Sequence, residues 1–163
     1  MQKEARKIIA EVAHAFGDDP PPLRCDLVES NSLEAIQVRD FFAGKSWWQI
    51  DLASLQKDYV GDGSACLTFM SGQAFVYYLP SWLTIACGQF LQADAISSGL
   101  FSKLIRPIAD QRHPQHLELL NLAVPKHRAI ARALQFLSKH YLAREIEDQA
   151  AQAVEMFWHK YLA

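Results

Sequence analysis

Between Gly63 and Ala93 the chain has no Asp, Glu, Lys, Arg or His. A helix facing water normally carries Lys and Glu on its outer side, so this tract is expected to be covered. Cysteine is also scarce. Cys25, Cys66 and Cys87 are odd in number and widely spaced, which argues against a disulfide framework or a zinc knuckle. Buried reduced thiols in a cytoplasmic protein are the expectation. There is no basic excess: the formal charge of -2 supplies no general attraction to nucleic acid or anionic lipid. The usual catalytic signatures are missing too, with no G-x-S-x-G, no H-E-x-x-H and no glycine-rich phosphate loop. "GDGS" at 61–64 lacks the alternating acids of a calcium loop and reads as a turn. "MQKEARKIIAEVAHAF" has no uninterrupted apolar run of the secretory type and predicts a first helix.

What is present is helical periodicity in a chain of 163 residues, half of them hydrophobic. That length fits one domain, 1–163, with an ample core. Ile8, Val12 and Phe16 form a stripe that Gly17 and the prolines of "DDPPP" bring to an end. Ser30 to Ser32 cap a helix through "LEAIQVRDFF", and Asp51 caps a short helix, "LASLQKDY". Ser71 opens "GQAFVYYL". Pro80 disfavours helical geometry at Leu79 and predicts a kink there, with a second helix over 80–92. "ACLTFM" is the only short strand candidate, and "RPIADQRHPQH" reads as a surface connection between helices. Ile130, Leu134, Leu137 and Tyr141 mark one late helix; Ile146, Ala150, Val154, Phe157 and Tyr161 mark the last, with Glu145, Glu147 and Asp148 favouring its start. The predicted class is all-α: an irregular single-domain bundle of six to seven helices with a kinked, buried central pair.

Length alone would let the uncharged tract cross a membrane. Gln73, Gln89 and Gln92, the central Pro80 and the acidic flanks Asp62 and Asp94 argue for burial in a protein core instead. Within the tract, Gln73, Tyr77, Ser81, Thr84, Gly88 and Gln92 form a neutral polar stripe. Either the rest of the domain covers it, which is the expectation, or it lines an interface, since interface cores are poor in charge.

Two further stretches invite a functional reading. Trp47 and Trp48 are adjacent, so one is expected in the core and the other partly exposed beside Lys45, where it could anchor a protein partner. "RHPQHLE" places His113, His116 and Glu118 close together, a spacing able to contribute metal ligands. Pro114 opposes a shared helical face, and a solvated loop is the plainer reading. The other histidines, His14, His127, His140 and His159, read as surface or helix-terminal residues.

F-x-G-K-x-W at Phe42–Trp47, "FVYYLP" at 75–80, "ALQFLSKHYL" and the closing "AVEMFWHKYL" together resemble an uncharacterised family of short bacterial helical proteins with G-K-x-W and F-x-Y-Y-L-P elements. The resemblance runs from about residue 38 onward. It carries over Gly44, Lys45, Trp47, Phe75, Tyr77, Tyr78, Leu79 and Pro80 as motif residues and implies no reaction and no cofactor. It suggests an immunity-like role: a non-catalytic protein that binds a bacterial toxin domain and occludes its active site. The expected contacts are Trp48, Asp58, Asp62 and Asp94, with Tyr77, Ser81 and Thr84 of the stripe; no nucleic acid or membrane partner is implied. The alternatives are a small metal-dependent hydrolase using His113, His116 and Glu118, and a self-associating adaptor that pairs through the stripe as a homodimer.

Overall fold

Ile8, Val12 and Phe16 share the buried face of helix α1 (Gln2–Phe16), and Gly17 closes it by donating its N–H to the Ala13 carbonyl at 3.0 Å. The computed structural model describes residues 1–93, 95–140 and 147–163, with the side chains of Glu147 and Asp148 left aside. Helix α2 (Leu33–Phe42) begins where the Ser32 hydroxyl accepts the Ala35 N–H. Helix α3 (Leu52–Asp58) begins with a reciprocal cap between Asp51 and Ser54. In both, a side chain satisfies an N–H that the first helical turn leaves unpaired. Short helices α4 (Ala65–Phe69) and α7 (Pro114–Leu120) flank the long α5 (Gly72–Ala93) and α6 (Ala95–Leu104). The series closes with α8 (Val124–His140), α9 (Glu147–Met156) and a 3-10 turn at Trp158–Tyr161.

Helix α5 is the axis of the bundle. It packs against α1, α6, α7, α8 and the 3-10 turn Trp47–Gln49. Phe75, Tyr78, Leu79, Trp82 and Leu83 are fully buried along it. Each such large apolar side chain contributes about 1.5–3 kcal/mol by leaving water. Among the described residues no helix is long and apolar enough to cross a membrane.

The all-α class stands, and several details differ from expectation. Nine α-helices occur among the described residues rather than six or seven. The chain does not break at Pro80. Helix α5 runs through it, and the non-helical backbone falls at Gln89 (φ -138°, ψ 40°). Pro80 withholds an N–H from the Val76 carbonyl, but Tyr78 and Ser81 on either side are hydrogen-bonded to the 42–47 segment. Tertiary bonds thus support the helical backbone on both sides of the proline. "ACLTFM" is the helix α4, capped by tertiary contacts, and not a strand. The polar connection is partly helical as α7, because Pro114 sits in a first turn where its missing N–H costs nothing. The last helix ends at Met156, and the buried anchor beyond it is Trp158, whose indole donates to the Leu104 carbonyl at 2.7 Å. Tyr141, Glu145 and Ile146 fall outside the described residues, as do the side chains of Glu147 and Asp148.

Candidate functional site

The motif residues meet in one aromatic knot. Gly44 follows α2 with φ 74°, a left-handed conformation that a Cβ disfavours, and it turns the chain across α5. The Trp47 indole donates to the Gly17 carbonyl at 2.9 Å. The Tyr78 hydroxyl reaches the Lys45 and Phe42 carbonyls at 2.7 and 3.1 Å. The Ser81 hydroxyl donates to the Trp47 carbonyl at 2.6 Å. The Lys45 ammonium donates to the Phe41 carbonyl and lies 3.7 Å over the Phe41 ring. Burial raises the Tyr78 phenol above its ordinary range, so it remains a neutral donor. Phe75, Leu79 and Pro80 are packed into the core beside it.

Around this knot lie some of the expected contact residues. Trp48 is half exposed, its ring 5.6 Å from that of Trp47 and nearly perpendicular to it. One ring in the core and one at the surface is the arrangement the sequence suggests. Tyr77 is half-buried, and its hydroxyl donates to the Asp19 carbonyl at 3.0 Å. A recess of about 340 Å³ opens here, walled by Phe16, Pro22, Trp47, Val76 and Tyr77. Asp19 and Lys126, 3.9 Å apart, stand on its rim.

The polar stripe is covered in the middle and open at its ends. Ser81 is 1% exposed and fully engaged by Trp47, which removes it as a partner contact. Thr84 is half-buried, while Gln73, Gly88 and Gln92 are exposed. Asp62 lies elsewhere, in a recess shared with Tyr59 and Gln92. Its carboxylate accepts the Ser64 N–H and hydroxyl, both at 2.8 Å, and these bonds hold its pKa below the usual value. Asp58 is exposed at the end of α3; Asp94 lies outside the described residues.

A third recess, of about 460 Å³, gathers groups that the sequence left scattered. Its walls are Glu29 and Ser30, Thr68 to Met70 at the end of α4, Ser102 and Lys103 of α6, and Arg112 to His116 entering α7. Two contacts build it. The Gln115 amide is buried and donates to the Leu67 and Met70 carbonyls at 2.9 and 2.7 Å, tying α7 to α4. Ser71 donates its N–H to Leu27 and its hydroxyl to the Asp26 carbonyl, which brings Glu29 and Ser30 alongside. Gly72 permits the closest approach: a Cβ there would lie 2.6 Å from the Pro114 carbonyl oxygen.

His113 and His116 are in this recess, stacked with ring centroids 5.3 Å apart. Glu118 is not; it lies on the side of α7 that meets Gly72. Among the described residues no three His, Cys, Asp or Glu side chains form a metal-binding group. The alternative metal centre is therefore not assembled, because Pro114 and the start of α7 turn the two rings away from the carboxylate. Burial and the neighbouring His113 and Lys103 charges lower the His116 pKa.

Two smaller corrections concern the other candidates. His127 is helix-terminal, in the first turn of α8, but buried there, donating from Nε2 to the Leu119 carbonyl at 2.8 Å. The three thiols are free, but only Cys66 and Cys87 are buried; burial pushes both up to about 12, leaving them unreactive thiols. Lys103, Gln115 and Thr68 were not singled out by sequence. The one signal for Lys103 is a lone cation in the apolar run "GLFSKLI".

The molecule is thus an all-helical protein whose notable surface features are recesses and an exposed aromatic anchor. The chain belongs to a family of unknown function (DUF6714), which it matches over residues 7–162. That match reaches well before residue 38, so it includes the α1 face and the "DDPPP" segment. No characterised protein and no solved structure matches the chain.

Proposed function

We propose that this is a non-catalytic binding protein of the immunity type, which neutralises a bacterial toxin domain by covering its active site. The observation that carries this reading is Trp48, half exposed and packed edge-on against the buried Trp47. Its neighbour Trp47 is locked by the Gly17 carbonyl on one side and by the Ser81 hydroxyl on the other. An exposed Trp offers a large apolar area with only two side-chain torsions to fix on binding, which is the property of an interface hot spot. The adjoining recess accepts an apolar side chain, and the exposed Asp19 carboxylate at its rim, 3.9 Å from Lys126, can exchange that cation for a basic group of the toxin. A toxin acting on nucleic acid would present such a surface.

Co-expression with the product of an adjacent toxin-like gene tests the reading. The wild-type chain is expected to restore growth and to co-purify with the toxin. Trp48→Ala is expected to weaken the complex by about 2 kcal/mol or more, with an unchanged unfolding midpoint. Lack of rescue and of co-purification would overturn the proposal. A wild-type chain that pairs only with itself by light scattering would point to the self-associating adaptor instead.

A further inference from the structure

Lys103 is a cation on the wall of the recess between α4, α6 and the start of α7. It is half-buried on α6, and among the described residues no carboxylate lies within ion-pair distance of its ammonium. Burial lowers its pKa, as expected for a cation partly withdrawn from water without a counter-charge. A charge in that position is costly unless something compensates it.

The surroundings select the sign and shape of what could compensate it. Arg112 and His113 share the recess with Lys103, against the single carboxylate of Glu29. Arg112 has two of its nitrogens on Asp110, at 2.9 and 2.6 Å, which fixes the guanidinium and leaves its other edge unoccupied by that carboxylate. His116 accepts the Ile108 N–H at Nδ1, 3.3 Å away, so it stands as a neutral wall behind His113. Ser30 and Thr68 are exposed on the opposite wall. The buried Gln115 and the close contact at Gly72 hold these walls in place.

We infer that the recess between α4, α6 and the start of α7 binds the phosphate group of a small molecule, with Lys103 as its principal cation. A tetrahedral oxyanion takes donors from several directions, and the ammonium, the His113 ring and the hydroxyls stand on different walls. A planar carboxylate would use fewer of them. The volume of about 460 Å³ suits a ligand of metabolite size rather than a bare ion. This site is separate from the Trp48 face, so its test is independent of the toxin-binding reading.

The test is a titration of the full chain with inorganic phosphate at constant ionic strength, followed by the ring resonances of His113 and His116. A saturable shift of both rings is expected. Lys103→Met should weaken binding about tenfold or more, the loss of one charge-assisted contact, while Lys103→Arg should retain it. Thermal unfolding of each variant verifies that the fold persists. Equal affinity in Lys103→Met, or a shift that chloride reproduces, would overturn the inference. Acetate or succinate binding as tightly as phosphate would overturn the choice of a phosphate group.

Discussion

The aromatic knot around Trp47 and the recess beside Lys103 treat their polar groups in opposite ways. In the knot, the indole of Trp47 and the hydroxyls of Tyr78 and Ser81 each end on a backbone carbonyl of the same chain. In the recess, Gln115 is satisfied internally, but Lys103, His113 and Thr68 face open space. A saturated network stabilises and rigidifies. An unsaturated one, open to water, leaves donors that a ligand can take up. The difference separates motif residues that build the fold from residues free to bind something, and it explains why the most recognisable part of the sequence holds little open chemistry.

Substitutions on the two sides should therefore read out differently. Trp47→Ala removes a large buried ring and orphans the Gly17 carbonyl, and it is expected to cost about 3–5 kcal/mol in chemical denaturation. A loss below about 1 kcal/mol would show that the knot is not a structural unit. Gly72→Ala acts on the recess. Its Cβ would press on the Pro114 carbonyl, so α7 must shift, at an expected cost of about 1–3 kcal/mol. The same variant should also broaden or move the His113 and His116 resonances, which Trp47→Ala would leave in place if the two regions are independent.

The smallest effect is on pH. The folded-state pKa of His116 lies below its ordinary value of 6.5. The unfolded chain then holds the proton more tightly, so stability should fall as pH drops through 6.5 and level off below the folded value. The Lys103 and His113 charges act on the ring, and Glu29 is the carboxylate that shares the recess with them. Phosphate should flatten this slope if it occupies the recess. A stability curve that rises on acidification through the same range would contradict the environment assigned to His116.

Much of the fold was legible because it rests on local rules. The stripe of Ile8, Val12 and Phe16, the caps at Ser32, Asp51 and Ser71, and the stop at Gly17 all appear where short-range patterns put them. The misreadings share one cause. Pro80, "ACLTFM" and the polar run before Pro114 each have a local preference that long-range contacts override. The candidate site was less legible. Trp48 emerged from its position beside Trp47, but Thr68 lies far along the chain from Lys103 and Gln115, and the three follow no motif.

By itself, the sequence determined the all-α class, the burial of the middle of the uncharged tract and the bounds of α1, α2 and α3, because charge patterning, capping and periodicity act within a few residues. Only the tertiary structure decided that α5 continues through Pro80, that Ser81 is spent on Trp47, and that Lys103 meets His113 in a recess. Those outcomes depend on which carbonyls and side chains arrive from distant segments. Here the contacts from 42–47 and from α7, and not the local preferences of the uncharged tract, set where the chain bends and where it stays open.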